Sequence, residues 1–474
     1  MSKLSTFIKS STIYLVGNIL TKVIPFLLLP LYTNYISPVS MGYYDVSNSY
    51  MNIIVPIVSL SIWAAILRYC FDFEKAEDKY MVITNAMAVF VVSSAVYSIA
   101  TFLIGRVYSI QYLFLIYLMG LAMILQNCYS NMARALGYNA VFAMSGVVGS
   151  FVNCGSNIIM ILFLGMREES LFIALTLGLL TQVFIMEMKV QFLKHVEFKR
   201  INPAFVKKMI RFTAPLALNS ACFWFLSSYD KIGISQVLGL ESSGIYAIAA
   251  KYTYVIGLLS DCFRMAMQEL LFSLGKGGEE KKHFYTVSSN YCLKFLTYGL
   301  LLLIPFVYFT FPVLIGKNYS AAFSLIPLYL VATVGNVYCN FLGDIFATEK
   351  KTSAVFYSTI VAAVVNVSLF HLLVGTFQIQ AANIALSAGF LVDIIVRLCI
   401  LKKWYPISLD YKMLIFTGIL FCISTYFYMT QGTMVNVVWT FCICVIIILA
   451  FRDFLTLLSQ KLHEIFRRKK STNV

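Results

Sequence analysis

Charged residues are scarce in this sequence, and no polar stretch is long enough to form a soluble domain. Charged side chains account for 12% of the 474 residues and apolar side chains for 60%. A soluble domain is about a quarter charged and close to half apolar. The mean hydropathy of +0.82 shows the same contrast. These values exclude an ordinary soluble enzyme and predict a chain embedded in a membrane.

The sequence also lacks the spacings that mark metal sites and disulfide frameworks. It has eleven cysteines but no C-x-x-C pair, and its four histidines form no H-E-x-x-H pattern. Cys442 and Cys444 are two residues apart and point to different sides of a helix. We therefore predict no metal site, no disulfide framework and no cofactor.

The apolar residues cluster into runs of roughly 20, the length that a helix needs to cross the hydrocarbon core. Each run must satisfy its own backbone hydrogen bonds in lipid, so we predict an all-α integral membrane protein with about fourteen transmembrane helices. The predicted spans are 10–34, 41–69, 81–104, 112–131, 139–164, 171–192, 209–236, 244–272, 284–310, 321–346, 353–374, 382–401, 412–430 and 436–458.

The distribution of basic residues predicts the orientation. With the N-terminus in the cytoplasm, the external loops hold only Arg106, Arg167 and Lys317, and the other loop cations are internal. This asymmetry follows the positive-inside rule and predicts two cytoplasmic termini. It also explains most of the net charge of +15 without nucleic acid as a partner, because anionic lipid lies at the inner face.

Short matches on the two sides of a basic linker indicate an internal repeat. The string SMGYY at 40–44 matches SSGIY at 242–246, and IALTLG at 173–178 matches IALSAG at 384–389. Asn153 has a counterpart in Asn366. Six spans lie between the start of the first half and the start of the second, so both halves begin on the same side of the membrane. The halves are therefore predicted to be parallel repeats around a central cleft.

The repeat divides the chain into four predicted regions. They are an N-terminal six-helix lobe at 1–193, a cytoplasmic basic linker at 194–208, a C-terminal six-helix lobe at 209–401, and two extra helices with a basic tail at 402–474.

The stretch PLYTNYISPVSMGYY at 30–44 resembles the P-L-x-T-R-x-L-G-P-E-x-x-G-x-Y segment of Wzx-type polysaccharide flippases. LGLESSGIY at 238–246 is similar to its second-half counterpart. The sequence departs from the family at Asn34, where Arg is frequent, and at Val39, where Glu is frequent.

The resemblance implies a MATE-like fold of the MOP superfamily, with two lobes in a V that work by alternating access. It implies no enzymatic reaction but a flippase that moves undecaprenyl-diphosphate-linked oligosaccharide across the bacterial cytoplasmic membrane for O-antigen or capsule assembly. The implied partners are the lipid-linked oligosaccharide, membrane lipids and other polysaccharide-assembly proteins.

Basic residues deep in the spans are candidates for the cleft, because an ionisable group at membrane depth usually faces a cavity or a partner. They are Lys22, Lys231, Lys251, Arg264 and Lys294. Three more cations lie within a turn or two of predicted cytoplasmic span ends, where we expect them to snorkel. They are Lys189, Arg397 and Arg452.

Lys22 lies near the middle of the first span, one turn after Asn18 and nearly one turn before Pro25. Pro25 frees a backbone carbonyl and is a candidate for gating. Lys22 and Asn18 then line the cleft, although a structural pair with an acid elsewhere is the alternative.

Lys231 belongs to a polar stripe at helical spacing along the seventh span, which favours a wet helix face. The stripe consists of Ser220, Trp224, Ser227, Lys231 and Ser235. The second span has a weaker stripe of Tyr44, Asn48, Asn52 and Ser59. In the alternative interpretation these hydroxyls only bond to their own helices.

The eighth span allows two interpretations. Asp261 and Arg264 are three residues apart and fit a structural pair. Lys251 lies roughly 140° around the helix from Arg264, so both face one cleft only if the helix bends, for example near Gly257. Lys294 has no polar stripe around it.

A basic cleft suits a diphosphate, whose charge needs lysine or arginine in place of its lost water. An ion-coupled exporter of the same fold is the first alternative, and it needs a carboxylate in the cleft. The coupling-ion candidates are Asp230, Asp261 and Asp393. A membrane-embedded polymerase or acyltransferase is the second alternative, and the short external loops and scattered histidines argue against it.

Overall fold

The computed structural model describes residue 24 and residues 26–253, 257, 278–349 and 351–452. Within these ranges the chain is a bundle of long helices without a β-strand. In the first half they are α1 (Leu29–Tyr35), α2 (Pro38–Val58), α3 (Trp63–Cys70), α4 (Ala76–Val107), α5 (Leu113–Ala135), α6 (Asn139–Ile158) and α7 (Glu168–Val190).

The second half continues the bundle with nine helices in the described ranges. They are α8 (Pro203–Ser227), α9 (Tyr229–Val237), α10 (240–253), α11 (Gly278–Leu314), α12 (Ala322–Thr348), α13 (Thr352–Phe377), α14 (Gln380–Leu401), α15 (Tyr411–Thr430) and α16 (Thr433–Ala450). Short π and 3-10 turns at Ile159–Phe163, Phe192–His195, Phe198–Arg200 and Lys317–Tyr319 lie between them.

Eleven of the described helices are long and apolar enough to cross a membrane, and the bent pair α2 and α3 raises the number to twelve. This confirms the predicted all-α membrane fold. The twelve correspond to all the predicted spans except the first and the eighth, which fall largely outside the described ranges. The total of fourteen stays a prediction.

The predicted second span, 41–69, is not one straight helix. α2 and α3 meet at an angle of 51°, and Leu60 and Ser61 at the bend have φ values of 50° and 48°. A left-handed backbone at two successive residues cannot continue an α-helix. The bend turns the end of this span away from the axis of α2.

Side-chain caps fix the starts of α2 and α8, which contact each other. Ser37 accepts a hydrogen bond from the N–H of Ser40 before Pro38 opens α2. Asn202 does the same for α8 by accepting from Ala204 and Phe205, with Pro203 in the first turn. Polar N-caps followed by proline satisfy free backbone donors where a helix begins.

The predicted repeat strings lie in matching places. A Cβ placed on Gly178 in α7 would lie 3.0 Å from the Cβ of Asn153 in α6. A Cβ placed on Gly389 in α14 would lie 3.1 Å from the Cβ of Asn366 in α13. The α6–α7 and α13–α14 pairs therefore pack through the same sequence positions, which supports the predicted repeat.

A buried apolar cluster joins the two halves at one end of the bundle, called here the glycine end after Gly42 and Gly244. A Cβ on Gly42 would overlap the carbonyl oxygen of Leu240 and lie 2.9 Å from the backbone nitrogen of Gly244. At the same end the Tyr319 hydroxyl donates to the carbonyl of Ile36 at 3.1 Å. The halves are in backbone contact there.

The last two helices pack on the outside of the second half. Tyr298 and Leu301 of α11 form a buried cluster with Leu420 of α15 and Ile443 of α16. The Lys294 ammonium donates to the carbonyl of Ala450 at 2.5 Å, near the C-terminal end of α16. Lys294 therefore has a structural partner at a helix end.

Candidate functional site

The seventh predicted span is interrupted where it approaches the first half. α8 ends at Ser227, Ser228 has φ −142°, and α9 begins at Tyr229. A helix end leaves backbone carbonyls without helical partners. One of these carbonyls, that of Leu226, accepts a hydrogen bond from the buried Asn366 side chain at 3.1 Å. The interruption is thus held by an amide from α13.

Lys231, one turn after the interruption, makes an ion pair between the two halves. Its ammonium lies 2.8 Å from Oδ2 and 3.1 Å from Oδ1 of Asp45 in α2. The two side chains are 20% and 12% exposed. This pair places the predicted cation in the region between the halves and gives it an acidic partner from the first half.

The predicted stripe of the seventh span is split by the same interruption. Ser220, Trp224 and Ser227 line a cavity of about 360 Å³ together with Asn52 of α2. The Trp224 indole donates to the carbonyl of Ser49 at 2.8 Å, and its ring is buried. The hydroxyls of Ser220 and Ser235 each donate to a carbonyl of their own helix, to that of Leu216 at 3.0 Å and to that of Ile232 at 2.8 Å. The α8 part of the stripe therefore faces α2 across a cavity.

A second cavity, of about 290 Å³, lies inside the first half and is named here the amide pocket. Five amide side chains line it: Asn48, Gln126, Asn127, Asn153 and Asn157. Asp45, Tyr32, Tyr44 and Lys251 also contribute to its wall. So many polar groups on membrane-spanning helices are suited to water or a polar ligand, because lipid offers them no hydrogen bonds.

Lys251 is the contribution of the second half to the amide pocket. It projects from α10, and its ammonium lies 5.6 Å from the centre of the Tyr32 ring. A cation over an aromatic face is held electrostatically. Asp45 lines the same pocket and also binds Lys231, so Lys231 and Lys251 reach one region from different helices.

Asp230 is buried at the start of α9, with 1% of its surface exposed. Neither carboxylate oxygen accepts a hydrogen bond from a described residue. Its polar neighbour Asn366 directs its NH₂ group toward the end of α8, and the Asn366 amide oxygen also has no described donor. Buried oxygen acceptors without donors are suited to a proton or a hard cation.

Asp393, in contrast, already has a cation. The Arg397 Nε donates to Asp393 Oδ1 at 2.8 Å, and both side chains are buried. The same guanidinium donates to Ser358, Thr359 and the carbonyl of Cys339. The expectation that Arg397 snorkels is therefore wrong, because partners on two other helices hold it inside the protein.

Several predicted residues lie outside the described ranges. They are Asn18, Lys22, Pro25, Asp261 and Arg264. Gly257 is helical, and its predicted role in gating stays a prediction. Among the described residues no cluster of three or more histidine, cysteine or acidic side chains is arranged to hold a metal ion.

Four residues of this region were not predicted from the sequence: Asp45, Gln126, Asn127 and Asn157. Asn153 and Asn157 are four residues apart on one face of α6, and the Asn157 NH₂ donates to Asn153 Oδ1 at 2.7 Å. Two amides at this spacing in an apolar span are the signal that would have located the amide pocket. The weaker stripe of the second span was a partial clue, since Tyr44 and Asn48 line this pocket and Asn52 lines the other cavity.

The sequence and the fold both resemble those of known proteins. A family model described as "Polysaccharide biosynthesis protein" matches residues 7–262, more than half of the chain. The chain belongs to this family. No curated protein matches the sequence.

Solved structures share the fold of this family member at low sequence identity. Lipid II flippase MurJ in an inward closed conformation is 12% identical, with a TM-score of 0.67 over 94% of this chain and 100% of that one. An inward-facing multidrug resistance MATE transporter of the MOP superfamily is 16% identical, with a TM-score of 0.57 over 86% and 95%. An outward-facing MATE transporter of the same superfamily is 15% identical, with a TM-score of 0.56 over 87% of this chain and 95% of that one. The chain is a multi-pass membrane protein with the MurJ and MATE fold.

Proposed function

We propose that this protein is a flippase that moves an undecaprenyl-diphosphate-linked oligosaccharide from the inner to the outer leaflet of a bacterial cytoplasmic membrane, without catalysing a reaction. The family and the fold support a flippase or transporter. The observation that supports this substrate class is the amide pocket, which has Lys251 in its wall and Lys231 beside it on Asp45. Such a site offers cations to a diphosphate and amides to a glycan.

The diphosphate is the part of the substrate whose charge the protein must balance. A diphosphate leaving water loses its hydration and must receive charge-assisted hydrogen bonds. Lys251 would supply a cation from α10, and Lys231 would supply a second from α9 once its pair with Asp45 breaks. Lys22 and Arg264 remain predicted contributors. The polyprenyl chain stays in lipid, which dissolves it without help from the protein.

Alternating access then follows from the contacts at the glycine end. With the predicted orientation, in which both termini are cytoplasmic, this end is external. The close backbone approach of Gly42 to Leu240 and Gly244 would keep it closed in the described conformation. Release to the outer leaflet requires these helices to part, while the Asp45–Lys231 pair breaks or is replaced by the substrate.

Asp230 is the candidate of choice for the coupling ion. It is buried without a described hydrogen-bond donor, whereas Asp393 is neutralised by Arg397. A proton or cation bound at Asp230 would act directly on the interruption between α8 and α9. The adjacent Lys231 would transmit the change to α2.

Deleting the gene in the native bacterium tests the proposed substrate class. The expected result is a lipid-linked oligosaccharide that accumulates on the inner leaflet and a loss of surface polysaccharide, both restored by the full chain. Complete surface polysaccharide in the deletion strain would contradict the proposal.

An ion-coupled exporter of small cations is the second candidate, because MATE transporters share the fold and Asp230 offers a buried carboxylate. Vesicles containing the purified chain separate the two functions. Export of a cationic dye under a proton or sodium gradient, without movement of the lipid-linked glycan, would favour the exporter.

A further inference from the structure

The amide pocket differs chemically from a site built for charge. Its five amides are neutral, and each has both donor and acceptor groups. The one acid in its wall, Asp45, already faces the Lys231 ammonium at 2.8 Å. A cationic ligand would find no unpaired carboxylate among the described lining residues, and a diphosphate would find a single lysine, Lys251, at one side.

The amides are held in place by bonds to their own helix or to a neighbouring one, which leaves part of their hydrogen-bonding capacity free. Asn127 donates to the carbonyl of Met123 at 2.8 Å, and Gln126 donates to Gln182 at 3.0 Å. Asn157 donates to Asn153, while its own amide oxygen is buried and has no partner among the described residues. Acceptors fixed in this way are ready for a ligand that donates.

The hydroxyl groups of a sugar match this surface, because each one both donates and accepts a hydrogen bond. The cavity volume of about 290 Å³ is just below the usual range for small-ligand pockets, about 300–1,000 Å³. It therefore suits one or two sugar rings and not a whole oligosaccharide. Lys251 on its wall would hold the phosphate to which the first sugar is attached.

We propose that the amide pocket binds the sugar unit next to the diphosphate and so determines which lipid-linked glycan the protein moves. This rests on the proposed flippase function and adds a specificity site to it. Asn157 and Asn48 would contact the sugar, and Asn153 would position Asn157. The remaining sugars would lie in the hydrated region between the halves.

Two probes test the proposal with the full chain in proteoliposomes: undecaprenyl diphosphate that carries the native glycan and undecaprenyl diphosphate without sugar. Asn157→Leu and Asn48→Leu remove amides from the pocket. Each should weaken binding of the glycosylated probe about tenfold and leave the sugar-free probe within about twofold of wild type. Asn48 is partly exposed, which makes its variant the safer one to fold.

Asn436→Leu is the matched control, since it removes a buried amide of α16 whose NH₂ donates to the carbonyls of Gln431 and Gly432 in the turn before that helix. It should leave both probes unchanged. Equal binding of the glycosylated probe by wild type and both pocket variants would overturn the proposal, and so would a parallel loss of both probes in folded protein. If wild type moves neither probe but exports a cationic dye, the flippase function itself has failed, which is a distinct result.

Discussion

Gly389 packs against Asn366 in the second half of the chain as Gly178 packs against Asn153 in the first. The distances from the added Cβ are 3.1 Å and 3.0 Å. Each asparagine then serves a different purpose in its own half. Asn153 lines the amide pocket, whereas Asn366 holds the end of α8 beside Asp230. The same glycine–asparagine contact between neighbouring helices therefore occurs at two different polar sites.

The ion pair between Asp45 and Lys231 gives the first prediction. Lys231→Glu places two carboxylates side by side between the halves, so transport of the glycosylated probe should fall about tenfold or more. Combining Asp45→Lys with Lys231→Asp should restore part of it. Lys403→Glu changes an exposed lysine and should have no effect. Normal glycan display by Lys231→Glu cells would remove the pair from the mechanism.

The glycine end gives the second prediction. Gly42→Ala would drive a Cβ into the carbonyl of Leu240, and overpacking of this kind costs about 1–3 kcal/mol. The variant should have a lower Tm in detergent and reduced transport, because the closed end no longer fits together. Gly299→Ala is the control, since a Cβ there meets nothing within 4 Å. Equal effects of both alanines would show that the close approach is unimportant.

The two buried acids of the second half, Asp393 and Asp230, should differ in how substitution by asparagine changes the Tm and transport. Asp393→Asn leaves Arg397 buried without its carboxylate, which costs about 3–5 kcal/mol, so the Tm should fall clearly. Asp230→Asn removes a carboxylate that has no described donor, so the Tm should be equal or higher while transport no longer responds to an ion gradient. Gradient-driven transport by Asp230→Asn would exclude Asp230 as the coupling site.

Glu349, just after α12, provides a test of pH dependence outside the membrane spans. Burial raises the pKa of its carboxyl, but hydrogen bonds from Tyr285 at 2.6 Å and Lys281 at 3.0 Å outweigh burial and lower it below the ordinary value of 4.5. A carboxyl whose pKa is lower in the folded state stabilises the fold at a pH above its unfolded-state pKa. This stabilisation is lost as the pH falls through the folded-state pKa.

Glu349→Gln should therefore destabilise the protein by about 2 kcal/mol at neutral pH, and the difference should shrink below about pH 4.5. Thermal melts of both proteins across this range measure it. Lys282→Gln is the control, because the partner of Lys282 is the exposed Glu279 at 3.6 Å. A difference that persists unchanged at pH 3 would contradict the assignment.

The sequence revealed the class of protein and predicted a repeat, because apolar runs and short motifs are local signals. It did not reveal the Asp45–Lys231 pair, whose members are 186 positions apart, since no local pattern records which helices will meet. Arg397 was misplaced for the same reason, because Ser358 and Cys339 come from other helices. The bend at Leu60 lies between Ser59 and Ser61 in an otherwise apolar span, and the mean hydropathy of that span does not record a change in backbone direction.

The most direct test of the central claim is a flipping assay with the purified full chain in proteoliposomes. Undecaprenyl-diphosphate-linked oligosaccharide is placed in both leaflets, and a membrane-impermeant glycosidase cleaves whatever reaches the outside. The account predicts nearly complete cleavage with wild type and only the outer half with empty liposomes or Lys231→Glu. Cleavage that stops at the outer half with wild type, under every ion gradient applied, would contradict it.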